Sequence, residues 1–259
     1  MNNYANIKDG QIVLTVDPTF PNAVKRIKTN GKETWEVTEK KIVGMIKSVS
    51  VFDTNFGRRI QLEIEGKNGD TTLLQLKANT TKGGISSHAK SFYKQIFNVD
   101  IKQPVRITTY DFLPEGQEIR SVGLTIEQAK SENGKAAAYK VEKKFPQIPS
   151  LKEDGNLPPL SVNISGKWVT DTMKSITIQS ELEKALDDFS IKLFGKPAIL
   201  TANPNVREDN DFDSFMAQPL TEDEKKQLKK PTTKKTEKWE RHWFEADEES
   251  EEDLFNSIN

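Results

Sequence analysis

The chain contains no cysteine and only two histidines, His88 and His242. Disulfides, thiolate metal sites and cysteine nucleophiles are therefore excluded, and a histidine-based zinc site would have too few ligands. A reducing compartment suits such a sequence. No apolar run approaches transmembrane length, and residues 1–8 lack the basic-then-apolar order of a leader, so the expected location is the cytoplasm. No G-x-x-x-x-G-K-[ST] phosphate loop is present, and Gly83-Gly84 alone is a turn signal. Hydrophobic residues are also scarce, at 34% against 30% charged, a balance that accompanies polar segments outside a core. With 259 residues, the expectation is one folded body with appendages.

The formal net charge is only −1, but it is unevenly distributed. Seven carboxylates (Glu245, Asp247, Glu248, Glu249, Glu251, Glu252 and Asp253) stand in residues 245–259 without a base, and taking these seven from the overall −1 leaves +6 on residues 1–244. Between Lys40 and Ile126, 13 Lys and Arg face 8 Asp and Glu, whereas residues 1–39 balance. A basic body with an acidic tail suits contact with a polyanion.

Within the basic stretch the pattern is that of strands. Residues 42–52 are rich in β-branched side chains, and their alternation breaks near Lys47-Ser48, the mark of a bulge. Ile60, Leu62 and Ile64 then alternate with Arg59, Gln61, Glu63 and Glu65, and Leu74 and Leu76 alternate with Gln75 and Lys77. Period two predicts half-buried strands. Ile85, Ala89, Phe92 and Ile96 instead fall on one helical face. Two more strands follow at 105–112 and 119–126.

The order strand, strand, strand, helix, strand, strand over residues 40–127 resembles the OB fold, a five-stranded barrel that binds oligonucleotides through strands two and three and the flanking loops. An SH3-like barrel or another α+β domain is the alternative, and the helix position disfavours the former. The fold class expected is mainly β: an OB-type barrel with a helix between strands three and four, an α/β extension, and a disordered C-terminal tail. Residues 1–39 are read as an extension packing on the barrel.

That resemblance directs attention to outward residues of strands two and three: Arg59, Gln61, Gln75 and Lys77, with Arg58 at the entry. Phe52 and Phe56 bracket the first turn, Tyr110 and Phe112 end the fourth strand, and Trp35 lies upstream. Aromatic rings stack on bases while Lys and Arg neutralise phosphates, a combination that needs no sequence readout. For each of these aromatics, burial in the core is the alternative.

Residues 129–144 read as a linker or a short helix, and 160–164 and 168–178 as strand-like runs. Ser180 with Glu183 forms a capping-box pattern that predicts an amphipathic helix over 180–194, stopped by Gly195 and Pro197 and carrying Leu182, Leu186, Phe189 and Leu193 on one face. Residues 128–204 are thus an α/β extension. From about 205 onward disorder is expected, interrupted by a helical stretch over 221–230.

In the C-terminal segment a lysine-rich run gives way to Trp239, Trp243 and Phe244, then to the seven carboxylates, then to Leu254-Phe255. This order resembles the tails of bacterial and bacteriophage single-stranded DNA-binding proteins, whose acidic segments end in a hydrophobic hook. Phe255 stands four residues before Asn259, farther from the end than such hooks place it. The resemblance implies a phage-type protein of DNA replication, recombination and repair in the host cytoplasm, coating single strands without catalysis or cofactor. It also implies partners such as a polymerase, helicase or primase recruited through the tail, with self-association left open. A tethered acidic tail would also compete with DNA for the basic face.

Two acidic patterns bear on metal chemistry. Glu63 and Glu65 share a strand face, as in a metal-dependent nuclease, but alternating Glu also marks a solvated strand. Asp209, Asp211 and Asp213 lack the glycine and distal glutamate of a calcium loop. A structural or virion-packaged interaction protein is the main competing reading.

Overall fold

A computed structural model describes residues 2–8, 10–27, 31, 33–116, 118–132 and 135–201. The region expected only as an extension consists of four strands, β1 (Asn2–Lys8), β2 (Gln11–Val16), β3 (Val24–Ile27) and β4 (Glu33–Glu39). The expected strand and helix order follows in β5 (Lys41–Thr54), β6 (Gly57–Glu65), β7 (Thr71–Lys77), α1 (Ser87–Ile96), β8 (Val105–Phe112) and β9 (Ser121–Glu132). Then come β10 (Lys135–Lys140), a hairpin of β11 (Ser161–Ile164) and β12 (Lys167–Thr170), and α2 (Thr172–Phe194). The protein is mainly β. Its first ten strands form one mixed sheet in the order β10, β9, β8, β5, β6, β7, β1, β2, β4, β3, and within that sheet β1 runs parallel to β7.

The long strand β5 serves two neighbours in succession. Lys41 to Gly44 pair with β8, and Met45 to Thr54 pair with β6. The register shift falls between Ile46 and Ser48, where the sequence pattern breaks. At Gly44 a Cβ would stand 2.3 Å from the carbonyl oxygen of Glu65, so the crossing of β5 past the end of β6 needs a residue without a side chain.

The expected barrel does not close. Closure in the OB manner would require β9 to pair with β7, but β1 takes that edge of β7. The buried Gln95 of α1 meets β9 instead. Its amide nitrogen donates to the Leu124 carbonyl at 3.1 Å, and its oxygen accepts from the Ile126 N–H at 2.8 Å. A side-chain amide offers one donor face and one acceptor face, as a neighbouring strand would. Farther along the same edge β10 pairs with β9, and the Val141 N–H continues that ladder by donating to the Ile126 carbonyl. Curvature still brings the β1–β2 turn to β8, where the Thr109 hydroxyl donates to the Gly10 carbonyl at 2.7 Å.

One apolar core joins these parts. It includes Val49 and Val51 of β5, Ile60, Leu62 and Ile64 of β6, Leu74 and Leu76 of β7, and Phe92, Tyr93 and Ile96 of α1. It continues without interruption into Val141, Phe145 and Ile148 and into Ile178, Leu182 and Leu186 of α2, so residues 141–200 complete the same body. Residues 129–144, expected as a linker or helix, are instead the end of β9, the strand β10 and the start of a loop. Short side chains such as Ala136, Ala137 and Ala138 carry little periodicity, and pairing with β9 decides their conformation.

Helix α2 starts eight residues before the expected Ser180. Asp171 caps it, accepting from the Lys174 N–H at 3.0 Å, and the β-branched run through 178 that read as strand is helical beyond Thr172. Tertiary contact overrides local preference here, because Ser175 and Ile178 are buried. The end agrees with expectation, as Gly195 adopts the left-handed conformation that closes a helix. Among the described residues, no helix is long and apolar enough to cross a membrane.

Candidate nucleic-acid interface

Alternation in β6 and β7 sends Ile60, Leu62, Leu74 and Leu76 into the core and Arg59, Gln61, Gln75 and Lys77 to the opposite face. Pairing extends that face across five strands. One row runs Ser50, Gln61, Gln75, Asn6, Val13, and a second runs Ser48, Glu63, Leu73, Tyr4, Thr15. Phe52, Arg59 and Lys77 form a third row at one end. Two residues beyond Asn6 and Gln75, Lys8 and Lys77 follow on the same face.

The middle row is a line of amides. The Gln75 side chain donates to the Gln61 oxygen at 2.8 Å, while Asn6, which is buried, finds no hydrogen-bond partner for either side-chain atom among the described residues. Such an orphan costs about 1–3 kcal/mol and in a native fold calls for a reason. Phe52, Leu73 and Val13 are also buried on this face, yet none belongs to the main core. The face therefore combines cations (Arg59, Lys77, Lys8), amides and aromatic rings (Phe52, Tyr4), the groups that meet phosphates, base edges and base planes respectively.

The sequence-derived residues do not all fall in one place. Arg59, Gln61, Gln75 and Lys77 lie together on this face with Phe52; of these only Lys77 is exposed, where the first four had been expected to face outward, and Phe52 is buried. Phe56 is 58% exposed in the β5–β6 turn, at the same end of the sheet as the Phe52 row. Arg58 is elsewhere. It sits on the other side of β6 and reaches Glu183 of α2, with Nε donating to both carboxylate oxygens at 2.8 and 2.9 Å, and Asp53 at 2.8 Å. The hydrogen bond with Glu183 raises its pKa above the ordinary arginine value, against the opposing effect of burial.

Tyr110 and Phe112 form a separate cluster. They project from the face of β8 opposite Thr109, and Tyr110 crosses Gly123 so closely that a Cβ there would lie 2.4 Å from the tyrosine hydroxyl and from the Ser91 hydroxyl of α1. The two rings stand 6.0 Å apart, with the Lys143 ammonium 5.7 Å from the Tyr110 centroid. Trp35 lies on β4 opposite Val16, on the side of the sheet away from the rows.

Tyr4, Asn6 and Lys8 were missed by the sequence reading. Their alternation with Ala5 and Ile7 was a visible period-two signal, but nothing local reveals that β1 adds to β7.

The acidic pair considered for a metal is otherwise engaged. Glu63 accepts from the Ser48 hydroxyl at 2.7 Å, and Glu65 pairs with Lys47. Among the described residues, no group of three His, Asp or Glu side chains is placed to hold a metal ion. His88 is half-buried at the start of α1, and burial lowers its pKa from 6.5, with Asp111 opposing. The acidic tail, Glu245 to Phe255, the Asp209 to Asp213 series and the 221–230 helix lie outside the described residues. Comparison with protein-family models, with curated proteins and with solved structures returns no match for this chain.

Proposed function

We propose that this chain binds single-stranded DNA without sequence preference and without catalysis, on the face of β6, β7 and β1, as a phage-type protein of replication, recombination and repair. The carrying observation is the shared face itself: Arg59, Lys77 and Lys8 flank a row of amides that includes Asn6, without a hydrogen-bond partner among the described residues, with Phe52 and Tyr4 beside them. Lys77, exposed at the end of the face, supplies affinity through counterion release, the buried Arg59 and Lys8 join it once the face is uncovered, and the planar groups between them accept any base. Strands β5 to β9 with α1 follow the strand order of an OB fold, and in that order β6 and β7 are the strands that carry ligand. Here the N-terminal strands widen the face in place of closing a barrel.

Burial of Phe52, Leu73 and Val13 outside the core suits groups held under a displaceable cover. The acidic segment 245–253 has the charge to provide one, at high effective concentration because it is tethered, and DNA would free it together with Leu254-Phe255 for protein partners.

Titration of the full chain with fluorescent oligo-dT and with duplex at two salt concentrations tests the reading. A strong preference for the single strand is expected, with log affinity falling against log salt by about 0.7 per neutralised phosphate. Equal binding to duplex, or none, would leave an interaction protein. Removal of residues 245–259 is expected to raise affinity at low salt, and unchanged or weaker binding would refute the competing tail.

A further inference from the structure

The hairpin β11–β12 carries the most exposed tryptophan among the described residues. Trp168 is 73% exposed, an unusual state for the largest apolar side chain, and nothing in the interface described above uses it. The hairpin is also built to hold a fixed shape. Its two-residue turn, Ser165-Gly166, has positive φ at both positions (50° and 81°), the conformation that matches strand twist. The Asn163 side chain accepts from the Gly166 N–H at 2.9 Å, and the ladder continues at the base, where the Asp171 N–H donates to the Leu160 carbonyl.

Its attachment determines which way the tryptophan faces. Thr170 packs on Gly84 so closely that a Cβ there would lie 3.3 Å from the threonine methyl, and Thr172 likewise crowds Gly83. The hairpin thus leans on the loop that follows β7, the strand of Gln75 and Lys77. Trp168 lies on the same face of β12 as Thr170, two residues farther out, and the Cα pairing places Asn163 opposite it. Val162, Ile164 and Val169 lie on the other face. Lys82 in the loop and Lys174 in the first turn of α2 add positive charge near this path, offset in part by Asp171, while Lys167 lies on the other face of the hairpin with Ile164.

We infer that Trp168 is a second stacking platform for the single strand held on the β6–β7–β1 face, extending the bound path beyond Lys77 along the β7–α1 loop to the hairpin. The inference rests on the single-strand reading above. Charge complementarity and continuity with Lys77 select a nucleic acid strand over a protein as the occupant. A rigid ring at the end of a basic path contributes only when the strand is long enough to reach it.

The test is a length series of fluorescent oligo-dT, from about 5 to about 25 nucleotides, which brackets the site sizes known for such folds. Full-length wild type, Trp168→Ala and Trp168→Phe are compared at one fixed salt concentration. On the longest oligonucleotides Trp168→Ala is expected to weaken binding about tenfold, the effect of one stacked base, while Trp168→Phe retains most of the affinity. On the shortest, all three are expected to bind alike. Equal affinity of the three proteins at every length would overturn the inference while leaving the single-strand reading intact. A change in oligomeric mass by light scattering without a change in affinity would also overturn it, marking the hairpin as a protein contact. Failure of wild type to bind any oligo-dT would instead remove the parent reading, and the inference with it.

Discussion

Arg58 and Arg59 are neighbours in sequence with opposite consequences when changed. Arg58 pairs with Glu183, whose side chain is 7% exposed, while its own is 21% exposed. Removing one partner of a buried pair costs about 3–5 kcal/mol. Glu183 would keep the amide of Gln179 at 2.7 Å, and water has partial access from the Arg58 side, so Arg58→Ala belongs at the lower end. A loss of about 3 kcal/mol corresponds to a fall in Tm of roughly 6–12 °C for a folded body of this size. Glu183→Gln is expected to cost less, because Arg58 retains Asp53. Replacing both, as Arg58→Met with Glu183→Leu, is expected to restore most of the stability, since an apolar pair carries no desolvation penalty. Thermal unfolding followed by circular dichroism measures these differences, and oligo-dT titration over a salt series measures binding in parallel. The salt slope of Arg58→Ala is expected to match wild type. An unchanged Tm with a slope reduced by about 0.7 would show that Arg58 meets phosphate and that its pairing with α2 does not hold the helix.

Other changes separate the interface from the scaffold. Lys77→Ala is expected to leave Tm within about 1 °C and to lower the salt slope for oligo-dT by about 0.7, and an unchanged slope would exclude that lysine from the phosphate path. Gln95→Leu leaves the Leu124 carbonyl and the Ile126 N–H without their amide partner, so a loss of about 4 kcal/mol in urea unfolding is expected; a loss below about 1 would mean that β9 does not depend on it. For His88 the folded pKa lies below 6.5, so the unfolded chain binds more protons at mildly acid pH. Its contribution is fully present above 6.5 and is lost as pH falls from there through the folded pKa. Wild-type Tm is therefore expected to drop more than that of His88→Asn between about pH 7.5 and 5.5, and parallel curves would refute the assignment.

Much of the central architecture was legible in local pattern. Period two at Ile60, Leu62 and Ile64 and at Leu74 and Leu76, the break near Lys47-Ser48, and the helical spacing of Ala89, Phe92 and Ile96 each record a burial periodicity that a chain cannot hide. The same alternation separated Arg59, Gln61, Gln75 and Lys77 from the core before their neighbours were known. Helix α2 was legible at its end, where Gly195 adopts positive φ, but not at its start, where Asp171 and the burial of Ser175 and Ile178 overrule β-branched preference.

Pairing between distant segments was decided by the tertiary structure alone. No residue in 2–8 encodes that it will lie parallel to 71–77, and that addition places Tyr4, Asn6 and Lys8 beside Gln75 and gives β7 a partner other than β9. Gln95 then meets β9 at Leu124 and Ile126, past the stretch that β10 pairs, a role invisible in a sequence where it appears as one more polar helix residue. Likewise, strand parity places Arg58 and Arg59 on opposite faces, but only the docking of α2 decides that Arg58 meets Glu183. Periodicity is set by each residue's exposure along its own strand and is written locally. Strand partners and ion pairs depend on which surfaces remain unburied once the whole chain has folded.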